Sequence, residues 1–105
     1  MNAYAYQAAL YCQSCGEAIR AVLDAKGERP ANPQDEYSYD SDNYPKGPLA
    51  DGGGESDCPN HCDNCHILLE NPLTMEGERY VKEAVSADGK PLIHEWAEFY
   101  SYLFD

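Results

Sequence analysis

Positive charge is what this 105-residue chain has least of: seven Lys and Arg stand against 19 Asp and Glu, a formal charge of −12. Affinity for nucleic-acid grooves comes mainly from Lys and Arg neutralising phosphates, so direct nucleic-acid binding is disfavoured, and anionic membrane surfaces with it. Long hydrophobic runs are missing too. No stretch approaches the ~20 apolar residues of a membrane span. Residues 1–6 lack the basic start, apolar run and small-residue cleavage site of a secretory signal, which makes the cytoplasm the expected location. Large apolar side chains are few, with two Phe, two Met and one Trp against nine Tyr. Mean hydropathy is −0.66. A core supplied so thinly calls for a staple. The length suits one domain, 1–105, and no repeat suggests a solenoid or propeller.

Apolar patterning is concentrated in 1–27 and 58–105, whereas 28–57 is rich in Pro, Gly, Asp and Ser and reads as a long acidic loop. Its carboxylates are Glu28, Asp35, Glu36, Asp40, Asp42, Asp51, Glu55 and Asp57, against Arg29 and Lys46 alone, so half the formal charge sits there. A structureless insert of that length inside a compact domain is functional, disordered or pinned at both ends. Around it, residues 8–11 read as a short strand and 17–26 as a helix whose face is Ala18, Ile19, Val22 and Leu23, stopped by Gly27. Ile67, Leu68 and Leu69 read as a buried strand ended by Asn71-Pro72. Tyr80, Val81, Ala84 and Val85 fit a second helix. Pro91 opens a third, 91–104, with Leu92, Trp96, Phe99 and Leu103 on one stripe and Ile93, Ala97, Tyr100 and Phe104 beside it.

What the sequence does have is cysteine in a telling arrangement. Cys12-Gln13-Ser14-Cys15 and Cys62-Asp63-Asn64-Cys65 are two C-x-x-C pairs, and a tight turn within each lets both sulfurs reach one ion. Two such knuckles complete a tetrahedron, the closed four-thiolate geometry that zinc takes. An odd count of five Cys in a cytosolic setting favours metal ligation over disulfides. Cys58 and His61 crowd the second knuckle as alternate ligands, and His66 reads as a polar residue after it.

Sharper motifs fail one by one. The spacing Cys58-x₃-Cys62-x₂-Cys65 is that of radical-SAM iron–sulfur sites, but full barrels of that kind run to roughly 200 residues or more, which leaves a bare iron–sulfur cluster on Cys ligands as a lesser alternative. The deaminase signature is absent because Pro59 follows Cys58 and no proline precedes Cys62. His94-Glu95-Trp96-Ala97-Glu98 puts Glu where a helical H-E-x-x-H needs its second His, and reads as an exposed helix face. Residues 51–55, Asp-Gly-Gly-Gly-Glu, lack the Gly-Lys-Ser/Thr of a phosphate loop, and no βαβ context supports a redox C-x-x-C. The expected fold is therefore α+β: a small zinc-stapled domain with short strands, two or three helices and a long acidic loop.

The run Tyr39-Asp40-Ser41-Asp42-Asn43-Tyr44-Pro45-Lys46-Gly47-Pro48 resembles a group of small acidic zinc-ribbon-like proteins of bacteria and their phages, together with residues 51–55, His61-Cys62-x-x-Cys65 and Leu69-Glu70-Asn71-Pro72-Leu73-Thr74. The resemblance spans roughly residues 10–85, implies the same four Cys ligands and brings no activity with it. It places a Gly after the last Cys, where this chain has His66, while Gly16 follows Cys15 as a turn of positive φ wants.

In an extended loop, Tyr37 and Tyr39 share one side and Asp40 and Asp42 the other, with the carboxylates about 7 Å apart. Rows of carboxylates with interleaved Tyr suit a groove built for phosphates and bases, with Tyr37, Tyr39 and Tyr44 as anchors; the alternative is a solvated loop that keeps the protein soluble, its tyrosines packed onto the domain. The expected function is a non-enzymatic zinc module that binds the basic surface of a host protein or nucleoprotein complex, as a phage or mobile-element inhibitor would. The alternatives are a nucleic-acid-binding zinc ribbon, against which the charge speaks, and a small metalloenzyme, for which a closed four-thiolate site leaves no open position.

Overall fold

The structure, a computed structural model, describes residues 1–87 and 91–104, with the backbone alone at 91–93. Three antiparallel strands come first: β1 (Ala3–Tyr6), β2 (Ala9–Cys12) and β3 (Lys46–Leu49), in the order β2-β1-β3. β1 is absent from the sequence reading. Its hairpin to β2 turns on Gln7 and Ala8, both at positive φ (49° and 61°), a conformation normally announced by Asn-Gly. β3 lies inside the segment read as a loop, and pairs Leu49 with Ala3 and Lys46 with Ala5 across a register shift.

Helix α1 (Gln13–Ala25) starts four residues earlier than the apolar pattern suggests, with Cys12 as its extended N-cap. It ends as Gly27 predicts. Gly27, at φ 77°, donates to Asp24 O and Glu28 N–H donates back to Leu23 O, the paired bonds of a Schellman stop. The apolar face, however, is not the buried one: Leu23 is buried, Ile19 half-buried, and Ala18 and Val22 are exposed. Gly16 is the reason. It is helical, not a positive-φ turn, and a Cβ there would collide with the Tyr4 ring, so the helix lies against β1 along Gly16, Arg20 and Leu23.

The acidic segment folds back onto this helix. Arg20 donates to Pro45 O at 2.7 and 3.0 Å through two nitrogens and to Gly47 O at 3.3 Å, while its guanidinium lies 4.7 Å from the Tyr4 ring centre and 5.0 Å from that of Tyr44. Three turns closed by side-chain carbonyl or carboxylate oxygens shape the outer part: Asn32 to Gln34 N, Asp35 to Tyr37 N and Asp40 to Asp42 N. These replace the extended conformation expected for 37–44.

The second half is helical. Thr74 Oγ1 accepts from Gly77 N at the start of α2 (Met75–Ala87), where Glu76 and Glu78 suit the helix dipole. α3 (Pro91–Phe99) packs on α2 and gives way to a 3-10 turn at Ser101–Phe104, so the predicted helix over 91–104 is two pieces. Of its stripes, Trp96 and Tyr100 are buried, Leu103 is half-buried, Phe99 and Phe104 are exposed, and the side chains of Leu92 and Ile93 lie outside the described residues.

Two cores result. Ala3, Cys12, Cys62 and Leu69 form one, and Leu68, Val81, Trp96 and Tyr100 the other. They meet at the neighbouring residues Leu68 and Leu69. These do not form the expected strand; one bridge, Leu68 to His61, is made. A body with two small cores is elongated, 49 × 23 × 17 Å, with a radius of gyration of 15.7 Å, where about 13 Å is usual for a compact chain of this length. No described helix is long and apolar enough to cross a membrane.

Candidate metal centre

The sulfurs of Cys12, Cys15, Cys62 and Cys65 all lie within 4.8 Å of one another, although 46 residues separate the two knuckles. A tetrahedral ion with M–S bonds of about 2.3 Å spaces its ligand sulfurs about 3.8 Å apart. Cys12 and Cys65 stand at 3.7 Å, and all five cysteines are free thiols. Spacing and donor type together fit a closed four-thiolate metal site.

The two knuckles reach this geometry differently. In the first, the ligands are the N-cap and a residue in the opening turn of α1, so they share one side of the helix terminus. That terminus carries no carboxylate in its first turn, and the positive end of the helix dipole faces the sulfurs instead. The second knuckle is a loop closed by Cys62 N–H to Ile67 O and His66 N–H to Cys62 O, both 2.9 Å. His66 takes φ 67°, the left-handed backbone that the resemblance supplies with Gly. A side chain is tolerated there because both flanking backbone bonds hold the turn.

Donors surround the sulfurs. Cys65 N–H points to Cys62 Sγ at 3.5 Å, and Asn64 Nδ2 to Cys15 Sγ at 3.4 Å. For Cys62, burial works against ionisation, but backbone N–H groups of Cys12, Cys65 and Asn64 outweigh it and bring the thiol down to about 6. Burial pushes the Cys12 thiol up, and proton sharing with Cys15, Cys65 and Cys62 adds to this. Metal ligands are thiolates, so a cation entering this cluster would displace thiol protons. Asn64 carries no sequence signal as a ligand-supporting residue; only the fold brings it to Cys15.

The alternate ligands fall away. Cys58 is exposed, and its sulfur stands outside the four-sulfur group. Both ring nitrogens of His61 are engaged: Trp96 Nε1–H donates to His61 Nε2 at 2.9 Å, and His61 Nδ1 meets His66 O at 2.9 Å. Trp is donor-only and a carbonyl acceptor-only, so His61 carries its proton on Nδ1 and has no lone pair left for a metal. It acts instead as a link between the knuckle and α3. Asn71, fully buried, is a second link: its Oδ1 accepts from Asn60 N at 2.7 Å, its Nδ2 donates to Cys58 O, and its backbone oxygen accepts from Tyr100 OH at 2.6 Å.

The loop tyrosines are placed unequally. Tyr37 is fully exposed. Tyr44 is buried and donates to Asp24 Oδ1 at 2.9 Å, and half-buried Tyr39 donates to Pro33 O at 2.8 Å and packs edge-on against Tyr44. Tyr39 and Tyr44 therefore pack inward around Arg20, as the alternative of loop tyrosines packed onto the domain expects. Asp40 and Asp42 are exposed.

Compared with protein-family models, with curated proteins and with solved structures, the chain has no match.

Proposed function

We propose that the four-cysteine cluster holds zinc as a structural staple, and that the chain is a non-enzymatic module binding a basic surface on another protein. The zinc reading rests on four sulfurs all within 4.8 Å of one another, a set that leaves no ligand position open for water. The binding reading rests on one observation: the formal charge is −12, an excess of carboxylates over Lys and Arg that no internal pairing can remove, and among the described residues only the exposed Arg79–Glu76 ion pair is formed. Zinc with four thiolates adds two further negative charges beside α1. A field of that sign speeds association with cationic partners and weakens as salt screens it.

In the loop, Asp40, Asp42 and Tyr37 are the groups available for contact. The motif resemblance to phage proteins extends the proposal to a phage or mobile-element factor that blocks a nucleic-acid-binding host complex, a defence complex included. The test is capture from a bacterial lysate by the zinc-loaded chain at low and high salt. A captured nucleic-acid-binding protein, released by salt and lost after zinc removal, supports the reading. Salt-dependent binding of the chain to DNA itself overturns it in favour of a zinc ribbon that reads nucleic acid.

A further inference from the structure

Two hollows near the second knuckle and α3 have been given no role. One, of about 480 Å³, lies between the second knuckle and α3, with Ile67 and Phe99 on its walls and Glu70, Glu95 and Glu98 around it. The other, of about 500 Å³, lies between Pro72 and the 3-10 turn after α3, with Tyr102 on its wall and Asp51 at its edge. Glu70 and Phe99 line both, so the two form one trough. Its apolar walls are open to solvent: Ile67, Phe99 and Tyr102 are 41%, 40% and 54% exposed.

Acidic groups dominate the trough. Among the described residues no Lys, Arg or His side chain lines either hollow, Met1 with its terminal ammonium is the one cationic lining residue, and the carboxylates of Asp51, Glu70, Glu95 and Glu98 make no ion pair or hydrogen bond. A second copy of the chain would bring the same four carboxylates against its own, and nucleic acid would bring phosphates. An arginine-bearing segment of another protein meets both features: a guanidinium pairs in a fork with carboxylates and stacks flat on aromatic rings. The larger hollow beside α1, about 580 Å³, has Lys26 as its one charged lining residue and so does not specify an occupant.

We propose that this trough is a docking surface for an extended basic peptide segment, arginines alternating with apolar side chains, on a partner protein. The inference rests on the basic-partner reading above and moves its main contact from the 37–44 loop to the knuckle–α3 face. Guanidinium groups pair with Glu70, Glu95 and Glu98, and an apolar side chain lies on Phe99.

The experiment uses the full zinc-loaded chain and a synthetic peptide of alternating Arg and Leu, with Glu-Leu and Gln-Leu peptides as comparators. Amide shifts are mapped by NMR, and affinity is read by fluorescence polarisation. Shifts concentrated at residues 67–70 and 95–102 support the proposal, as does a loss of about tenfold or more in affinity for Glu95→Lys with Glu98→Lys. Asp40→Lys with Asp42→Lys is expected to change affinity less than about twofold. Far-ultraviolet circular dichroism and zinc content verify that each variant is folded, and Phe99→Ala gives a second variant that removes no charge. Shifts centred on 37–44, shifts spread evenly over the acidic surface, or equal losses from both pairs of reversals overturn the trough while leaving a basic partner in place. Failure of the Arg-Leu peptide to bind at all overturns both.

Discussion

The two cores of this molecule are built from different materials. In the sheet-side core, two of the four buried residues, Cys12 and Cys62, belong to the four-sulfur cluster and a third is Ala3. In the helical core, Val81, Trp96, Tyr100 and Leu68 supply large apolar area, with Leu73, Ala84, Val85 and Leu103 around them. A fully buried aliphatic or aromatic side chain contributes about 1.5–3 kcal/mol over leaving it in water. The helical core can draw its stability from such burial. The sheet-side core has little apolar area, so on the zinc proposal its stability comes from metal–sulfur bonds, and the scarcity of Phe, Met and Trp goes with the pairing of Cys. Between them run the Trp96–His61 bond, the Asn71 clamp and the adjacent Leu68 and Leu69, so each core steadies the other.

The largest effect is expected from Cys15→Ser or a strong chelator. Structural zinc in small domains carries about 10–16 kcal/mol of apparent folding free energy, so the sheet and α1 should lose amide dispersion along with bound metal. Native dispersion persisting in chelator would show that both cores stand on burial alone and break the contrast. Next comes Trp96→Ala, expected to cost about 3–5 kcal/mol in urea unfolding, as large aromatic truncations in cores do, with one zinc per chain retained in the folded state. Loss of zinc in the folded variant would mean that the His61 link, not packing, is what Trp96 provides.

Alkaline pH sharpens the comparison in the helical core. Burial first, then the charges of Tyr102, Glu70 and Cys58, pushes the Tyr100 phenol up to about 12, above the about 10 of an unfolded tyrosine. A raised folded value means that this group's contribution is fully present below about pH 10 and is lost as pH climbs towards 12. Urea midpoints should fall across that window while phenolate absorbance at 295 nm shows one tyrosine titrating late. Tyr100→Phe should flatten the fall. The smallest effect is expected from Cys58→Ser: an exposed thiol outside the cluster should change stability by less than about 0.5 kcal/mol and leave zinc stoichiometry unchanged.

Legibility followed the same division. Features written in short-range spacing were readable: the two C-x-x-C pairs, the Gly27 stop, the second helix around Val81, and the excess of carboxylates. β1 was not readable, because its turn uses Gln7 and Ala8 in a conformation their types do not advertise. Nor was β3, whose Lys-Gly-Pro-Leu sequence has poor strand propensity and pairs only because Ala3 and Ala5 lie beside it. The acidic segment looked structureless by composition, yet Arg20 gathers Pro45, Gly47, Tyr39 and Tyr44 around one guanidinium.

By itself, then, the sequence determined the four sulfurs, the sign of the surface and the local helices, since each depends on residue type or on neighbours a few positions away. Tertiary structure alone decided that His61 faces Trp96 and not the sulfur cluster, that Gly16 serves contact with Tyr4 and not a turn, and that Tyr39 and Tyr44 point inward. Each of those outcomes is a competition for one side chain among partners distant in the chain. Hydrogen-bonding capacity and space settle such competitions only after the backbone has brought the rivals together.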